Sequence, residues 1–243
     1  MRRIPPDAMN PCVAPSDFAA VLLAASRGGH PASPLFFPVM LGLFAVFFVF
    51  AIRMAGVQQR KTRVQLAALA ARLGLEVREA PTTGVLGLKP TPTVEGRHRN
   101  RAVRFFTYTT SSGKSQTHWC AVAAAAAGAG GFTLDLFPQN FLTHIGVALG
   151  MQDIRVGDPA FDPLFVVKSN DTAYTQAALL PELRARLVAE RGRGARGHLS
   201  VKGGEVRYAE MGFFSQEAQV ARLADMLEIV CDLAEVAEVY QKP

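Results

Sequence analysis

Residues 35–52 contain no charged, amide or hydroxyl side chain, and six of these eighteen are phenylalanine: Phe36, Phe37, Phe44, Phe47, Phe48 and Phe50. At 1.5 Å of rise per residue the run is roughly 27 Å long as a helix, close to the ~30 Å hydrocarbon core of a bilayer. Its thirteen Leu, Ile, Val and Phe residues sum to about −4 to −8 kcal/mol on insertion scales. A helix buried in a water-soluble core keeps a polar stripe over five turns, and this run has none. Pro38 falls in the first turn, where its missing N–H costs little. The reading is one transmembrane helix over 35–52. A cleaved signal peptide fits poorly, because 34 residues precede the run and no small-x-small cleavage site follows it.

The flanks give the expected direction of insertion. Within about twenty residues of the run, Arg53, Arg60, Lys61, Arg63 and Arg72 follow it, against Arg27 alone before it. The positive-inside rule then puts the N-terminus outside the cell membrane and the C-terminal domain in the cytoplasm. Cys12, Cys120 and Cys231 are an odd, widely spaced set with no disulfide framework. The expected domains are a flexible Pro-rich tail over 1–34, the span over 35–52, a juxtamembrane helix over 53–74 that stops at Gly74, and a soluble domain over 75–243.

Within that domain the hydrophobic period is two at first. Strands are predicted over 75–78, 85–89, 93–97, 102–109, 117–126 and 132–137, with hairpin turns near Asn100 and at Ser111–Lys114. Then come a short helix over 139–150, a strand over 164–168, a helix over 171–190 interrupted by Pro181, and a hairpin of 198–201 with 205–208 around Gly203-Gly204. Ser215 is the expected cap of a long helix reaching Val239, with Glu217 in its first turn. Val220, Leu223, Leu227 and Val230 form one apolar stripe on it; Met226, Ile229, Leu233 and Val236 form another. A face that broad suits packing on a sheet. The fold class expected is α+β: a transmembrane helix, then a cytoplasmic domain of mostly antiparallel strands with a long C-terminal helix.

Charge is segregated. Residues 53–104 hold eleven Lys or Arg against three Glu, while 210–238 hold seven Glu or Asp against Arg222. A basic juxtamembrane half is attracted to anionic headgroups by roughly 1 kcal/mol per well-placed cation. Arg53, Arg60, Lys61, Arg63, Arg97, Arg99, Arg101 and Arg104 are the candidate membrane-facing basic residues, the last four on one hairpin. An ordinary solvated basic surface accounts for them equally well.

Motifs of chemistry are sparse. Ser112-Gly113-Lys114-Ser115 lacks the P-loop glycine five positions before Gly113, where Tyr108 stands, and precedes a strand. His118 and Cys120 share a strand face but make only two ligands, so neither a metal nor a cofactor is expected. The Arg191–Gly197 stretch has three arginines and four small residues with no interleaved aromatic, which argues against nucleic acid and for a flexible loop. The acidic stretch from Asp153 through Asp158 and Asp162 to Lys168 and Asp171 reads either as turn and cap residues or as the acid–base set of a tethered enzyme.

Taken together, Leu-Ala-Ala-Arg-Leu-Gly-Leu at 69–75, Gly-Asp-Pro-x-Phe-Asp-x-x-Phe-x-Val-Lys-x-Asn-Asp at 157–171 and Leu-Leu-Pro-Glu-Leu at 179–183 resemble a family of uncharacterised bacterial single-pass membrane-anchored proteins over residues 64–233. The resemblance implies the anchor and the domain layout; it implies no activity, cofactor or catalytic residue. The function expected is a membrane-anchored binding or assembly module, with the lipid bilayer, anionic headgroups and a protein partner as its contacts. A tethered enzyme using Asp153, Asp158, Asp162 or Lys168 is the alternative.

Overall fold

The structure, a computed structural model, describes residues 36–79, 91–113, 115–128, 131–139 and 152–240. The expected tail over 1–34, the strand over 85–89 and most of the helix over 139–150 lie outside them. The chain divides into two compact units, Met1–Arg53 and Met54–Pro243.

One helix, α1 (Phe36–Leu73), occupies both the expected span and the expected juxtamembrane helix. It stops where Gly74 takes φ +66°, a left-handed conformation that only glycine adopts freely, and the Leu75 N–H bonds back to Ala70 O at 2.9 Å. Among the described residues no helix is long and apolar enough to cross a membrane. This corrects the transmembrane reading of 35–52. Beyond Arg53 the same helix continues through Gln58, Gln59, Arg60 and Lys61, so a run of apolar composition is here part of a longer, mixed helix.

In the second unit nine described strands form one antiparallel sheet in the order β1-β2-β3-β4-β9-β8-β5-β7-β6. They are β1 (Glu76–Arg78), β2 (Thr93–His98), β3 (Arg101–Ser112), β4 (Ser115–Ala125), β5 (Leu134–Pro138), β6 (Gln152–Ile154), β7 (Phe165–Ser169), β8 (His198–Lys202) and β9 (Glu205–Met211). The alternation that marks each strand also sorts its side chains between two faces. Val103 and Phe105 of β3, Cys120 and Val122 of β4, Leu134 and Leu136 of β5, and Leu199 and Val201 of β8 all enter one core.

Three helices follow: α2 (Thr172–Ala178), α3 (Pro181–Gly192) and α4 (Glu217–Glu238). Pro181 opens α3 at its first turn, where the absent N–H has no helical partner, so the interruption read from sequence is a boundary between two helices. Asp171 caps α2 by accepting the Tyr174 N–H at 2.8 Å. The cap of α4 is Gln216 rather than Ser215, and no side chain bonds there. Leu223, Leu227, Ile229, Val230 and Leu233 of α4 are buried, as the two adjoining stripes require. Leu66, Leu69 and Ala70 of α1 join the same core.

At one point the helix-to-sheet route leaves no room for a side chain. A Cβ added to Gly197 would stand 2.4 Å from Ala209 O and 2.5 Å from the Tyr208 ring. Gly197→Ala should therefore lower stability by about 1–3 kcal/mol, the cost of overpacking a filled site. A urea midpoint unchanged from that of the parent protein would contradict this close approach.

Candidate functional site

The β2–β3 hairpin turns through Arg99 and Asn100, whose φ values are +48° and +66°, with His98 and Arg101 paired across it. Two successive positive φ values make the tight turn that suits twisted strands. For an arginine that conformation costs about 1–2 kcal/mol, and the side chain shows what holds it. Arg99 reaches Asp232 at 2.5 Å, Glu235 at 2.7 Å and Glu228 at 3.3 Å on α4, and the guanidinium pKa is raised, first by its hydrogen bond to Asp232. His98 Nε2 lies 2.6 Å from Glu228 Oε1. Arg101, with a side chain only 12% exposed, grips Glu238 with two hydrogen bonds of 2.5 and 2.8 Å.

The charge segregation of the sequence is thus an internal clasp: the basic hairpin holds the acidic face of α4. Arg104 pairs with Glu205 at 2.5 Å, and Arg97 donates to Asn100 O at 2.7 Å. Arg97 and Arg104, with Arg78 and Glu95, border an open groove of about 900 Å³ floored by Gly96, Ala102 and Ala123. Of the α1 candidates, Arg63 lies 3.3 Å from Glu79, while Arg53, Arg60 and Lys61 are exposed.

Three carboxylates of the acidic stretch serve its own turns and caps. Asp158 accepts the Ala160 and Phe161 N–H groups at 2.9 and 3.3 Å and binds Arg184 Nε at 2.9 Å; the Ala160 N–H does most to hold its pKa below the usual carboxylate range. Asp162 accepts the Val156 and Gly157 N–H groups. Asp171 is the α2 cap and also accepts the Tyr240 hydroxyl at 3.2 Å. Lys168 is buried in β7, in register with Asp153 of β6. Asp158, Asp162 and Asp171 are therefore turn and cap groups.

Other residues singled out by the sequence are likewise occupied. Cys120 donates to Gly212 O at 3.2 Å, and burial pushes its thiol up to about 12; His118 bonds Thr109 at 3.1 Å. Ser112 pairs with Ser115 across the β3–β4 turn, so the P-loop-like residues join two strands. A satisfied buried network surrounds Glu210, which accepts from the Tyr208 hydroxyl at 2.6 Å and from Arg222 at 3.0 Å.

Two surfaces emerge that single-face patterning does not pick out. On the sheet face opposite the core, Trp119, Ala121 and Ala209 form a second small cluster with Phe106 and Tyr108 against it. Tyr108 and Trp119 stack at 6.1 Å, and Arg104 and Arg207 lie 4.5 and 5.3 Å from the Phe106 and Tyr108 ring centres, within cation–π range. Apolar residues at both parities of β3 and β4 are the signal in the sequence. The other surface is the start of α1, where ten large apolar side chains, among them Leu41, Phe44, Phe47, Phe48 and Phe50, are 45–73% exposed.

No family model and no curated protein matches the chain. Among solved structures, the mycobacterial trehalose monomycolate transport factor A, TtfA, is similar in fold, with a TM-score of 0.50 at 12% identity over 74% of this chain and 93% of that one.

The clasp makes a pH-dependent prediction. The Arg101 hydrogen bond is the main reason the Glu238 carboxyl lies below its ordinary value of 4.5. A depressed carboxyl stabilises the fold above its unfolded pKa, and that stability is lost as pH falls through the folded one. Arg101→Gln should cost about 1–3 kcal/mol near neutral pH. The gap to the parent protein should then shrink below about pH 4.5. Urea titrations at several pH values give both quantities; a gap independent of pH would contradict the assignment.

Proposed function

We propose that the chain is a non-enzymatic binding or assembly factor that works at a lipid surface, with the apolar start of α1 buried among acyl chains. The observation that carries this reading is the exposure of those ten large apolar side chains. They present on the order of 1,000 Å² of apolar surface, against the few hundred Å² of an ordinary monomer's largest patch. Arg53, Arg60 and Lys61 follow immediately and are exposed, at the position where cations meet headgroup phosphates.

Two further points favour binding over catalysis. The carboxylates of the acidic stretch are engaged in capping, and the basic hairpin is engaged by α4. The likeness in fold to a protein titled a transport factor agrees with a chain that handles rather than transforms its ligand. On this reading the hairpin arginines belong to the domain's own stability, and the attraction to anionic headgroups falls to the cations of α1.

Flotation of the intact chain tests the reading. The parent protein should rise with neutral phosphatidylcholine vesicles and rise further when phosphatidylglycerol is added. A variant carrying Phe44→Asp, Phe47→Asp and Phe48→Asp should stay at the bottom in both cases. Recovery of the triple variant with either vesicle at the parent level would remove the acyl-chain contact.

A further inference from the structure

The Arg191–Gly197 stretch, expected as a flexible loop, is a structured helix cap. The Ala195 N–H bonds Glu190 O at 2.9 Å and the Gly194 N–H bonds Arg191 O at 3.1 Å, with Gly194 at φ +96°. This nested pair of bonds is a Schellman motif, which closes the carbonyls at a helix C-terminus. Ala195 and Gly197 are buried beneath it. Three arginines are consequently displayed on fixed backbone, and they differ in their surroundings. Arg193 pairs with Glu190 Oε1 at 2.5 Å. Arg191 donates one Nη1 hydrogen to Ala195 O at 3.0 Å, which leaves further donors of its planar fork. The exposed Arg196 guanidinium has no partner among the described residues.

Arg191 and Arg196 border one groove of about 760 Å³, whose other described walls are Pro138, Leu164, Val188 and the glycines 192 and 194. No described carboxylate lines it. Leu164 and Val188 pack on the hydrophobic core from their inner sides, so their outward surfaces form a firm apolar wall. Two guanidinium groups beside an apolar wall, with glycines that let a ligand approach the backbone, define a ligand with two unlike ends. Guanidinium forks match phosphate oxygens in pairs, while the volume lies in the range of small-molecule sites.

We infer that this groove binds an anionic amphiphile, with its phosphate-type head on Arg191 and Arg196 and its aliphatic chain along Pro138, Leu164 and Val188. The site lies on residues remote in sequence from α1, and it rests on the reading of the chain as a binding factor without depending on insertion of that helix. The same phosphate chemistry is offered by a lipid headgroup and by free phosphate, and the apolar wall favours the former.

Titration calorimetry of the intact chain below the micelle concentration distinguishes these. Dodecyl phosphate should bind the parent protein, and Arg196→Gln should weaken it about tenfold, the loss expected for one charge-assisted contact. Arg193→Gln removes the same charge from outside the groove and should leave the affinity unchanged. Inorganic phosphate should bind at least tenfold more weakly than dodecyl phosphate, and dodecyl maltoside should show no dependence on Arg196. Any adsorption to the apolar start of α1 is common to all three proteins and cancels in the comparison. Equal affinity of parent and Arg196→Gln, equal weakening by Arg193→Gln, or inorganic phosphate binding as tightly as dodecyl phosphate would each overturn the assignment. Loss of flotation by the α1 variant with Arg196-dependent binding intact would leave this site standing and separate it from the lipid-surface reading.

Discussion

The burial of α4 on the core face of the sheet is the contact on which the rest of the second unit depends. Eleven of its apolar side chains are buried, and their breadth matches a sheet surface rather than another helix. Because β4 and β9, at the centre of the strand order, lie under that helix, the residues that anchor it also fix the strands. The charged clasp is added at the rim. Ion pairs at a solvent boundary contribute little singly, but here three carboxylates on successive turns of α4 converge on Arg99. Their combined attraction holds an arginine in a backbone conformation it would not choose, and so sets where the hairpin sits on the helix.

Much of the sheet was legible because alternation is a local property. The turns at Asn100 and at Gly203-Gly204, the strands flanking them and the two stripes of α4 follow from period and turn chemistry alone. The short strand β6 was not: three residues, Gln152 to Ile154, are too few to show a period. The apolar run at 35–52 exposes a different weakness. Composition over a window says how a segment would partition as an independent helix, but α1 continues unbroken through Arg53 into a polar half.

The basic and acidic halves illustrate the same point for charge. Sequence separation of like charges invites an external partner, whereas folding brought Arg99 and Arg101 onto residues more than 130 positions away. Nothing local encodes that meeting. The candidate ligand surface was missed for the converse reason. A glycine-arginine stretch has the composition of a linker, yet its glycines are where a Schellman cap and a close backbone contact demand them. The short distance from Arg191 to Arg196 along that rigid cap is what brings two cations to one groove.

The described sheet also begins and ends on strands of three residues, β1 and β6. An open edge is ordinarily a template on which another chain can lay a strand. On β1 that template offers only a single turn of pleat, and Glu76 and Arg78 are exposed there, which disfavours a flat apolar addition. Among the described residues, neither end strand offers more than three residues to a backbone ladder. The exposed apolar surface described on α1 belongs to side chains, whose shapes discriminate among partners in a way that a backbone ladder does not.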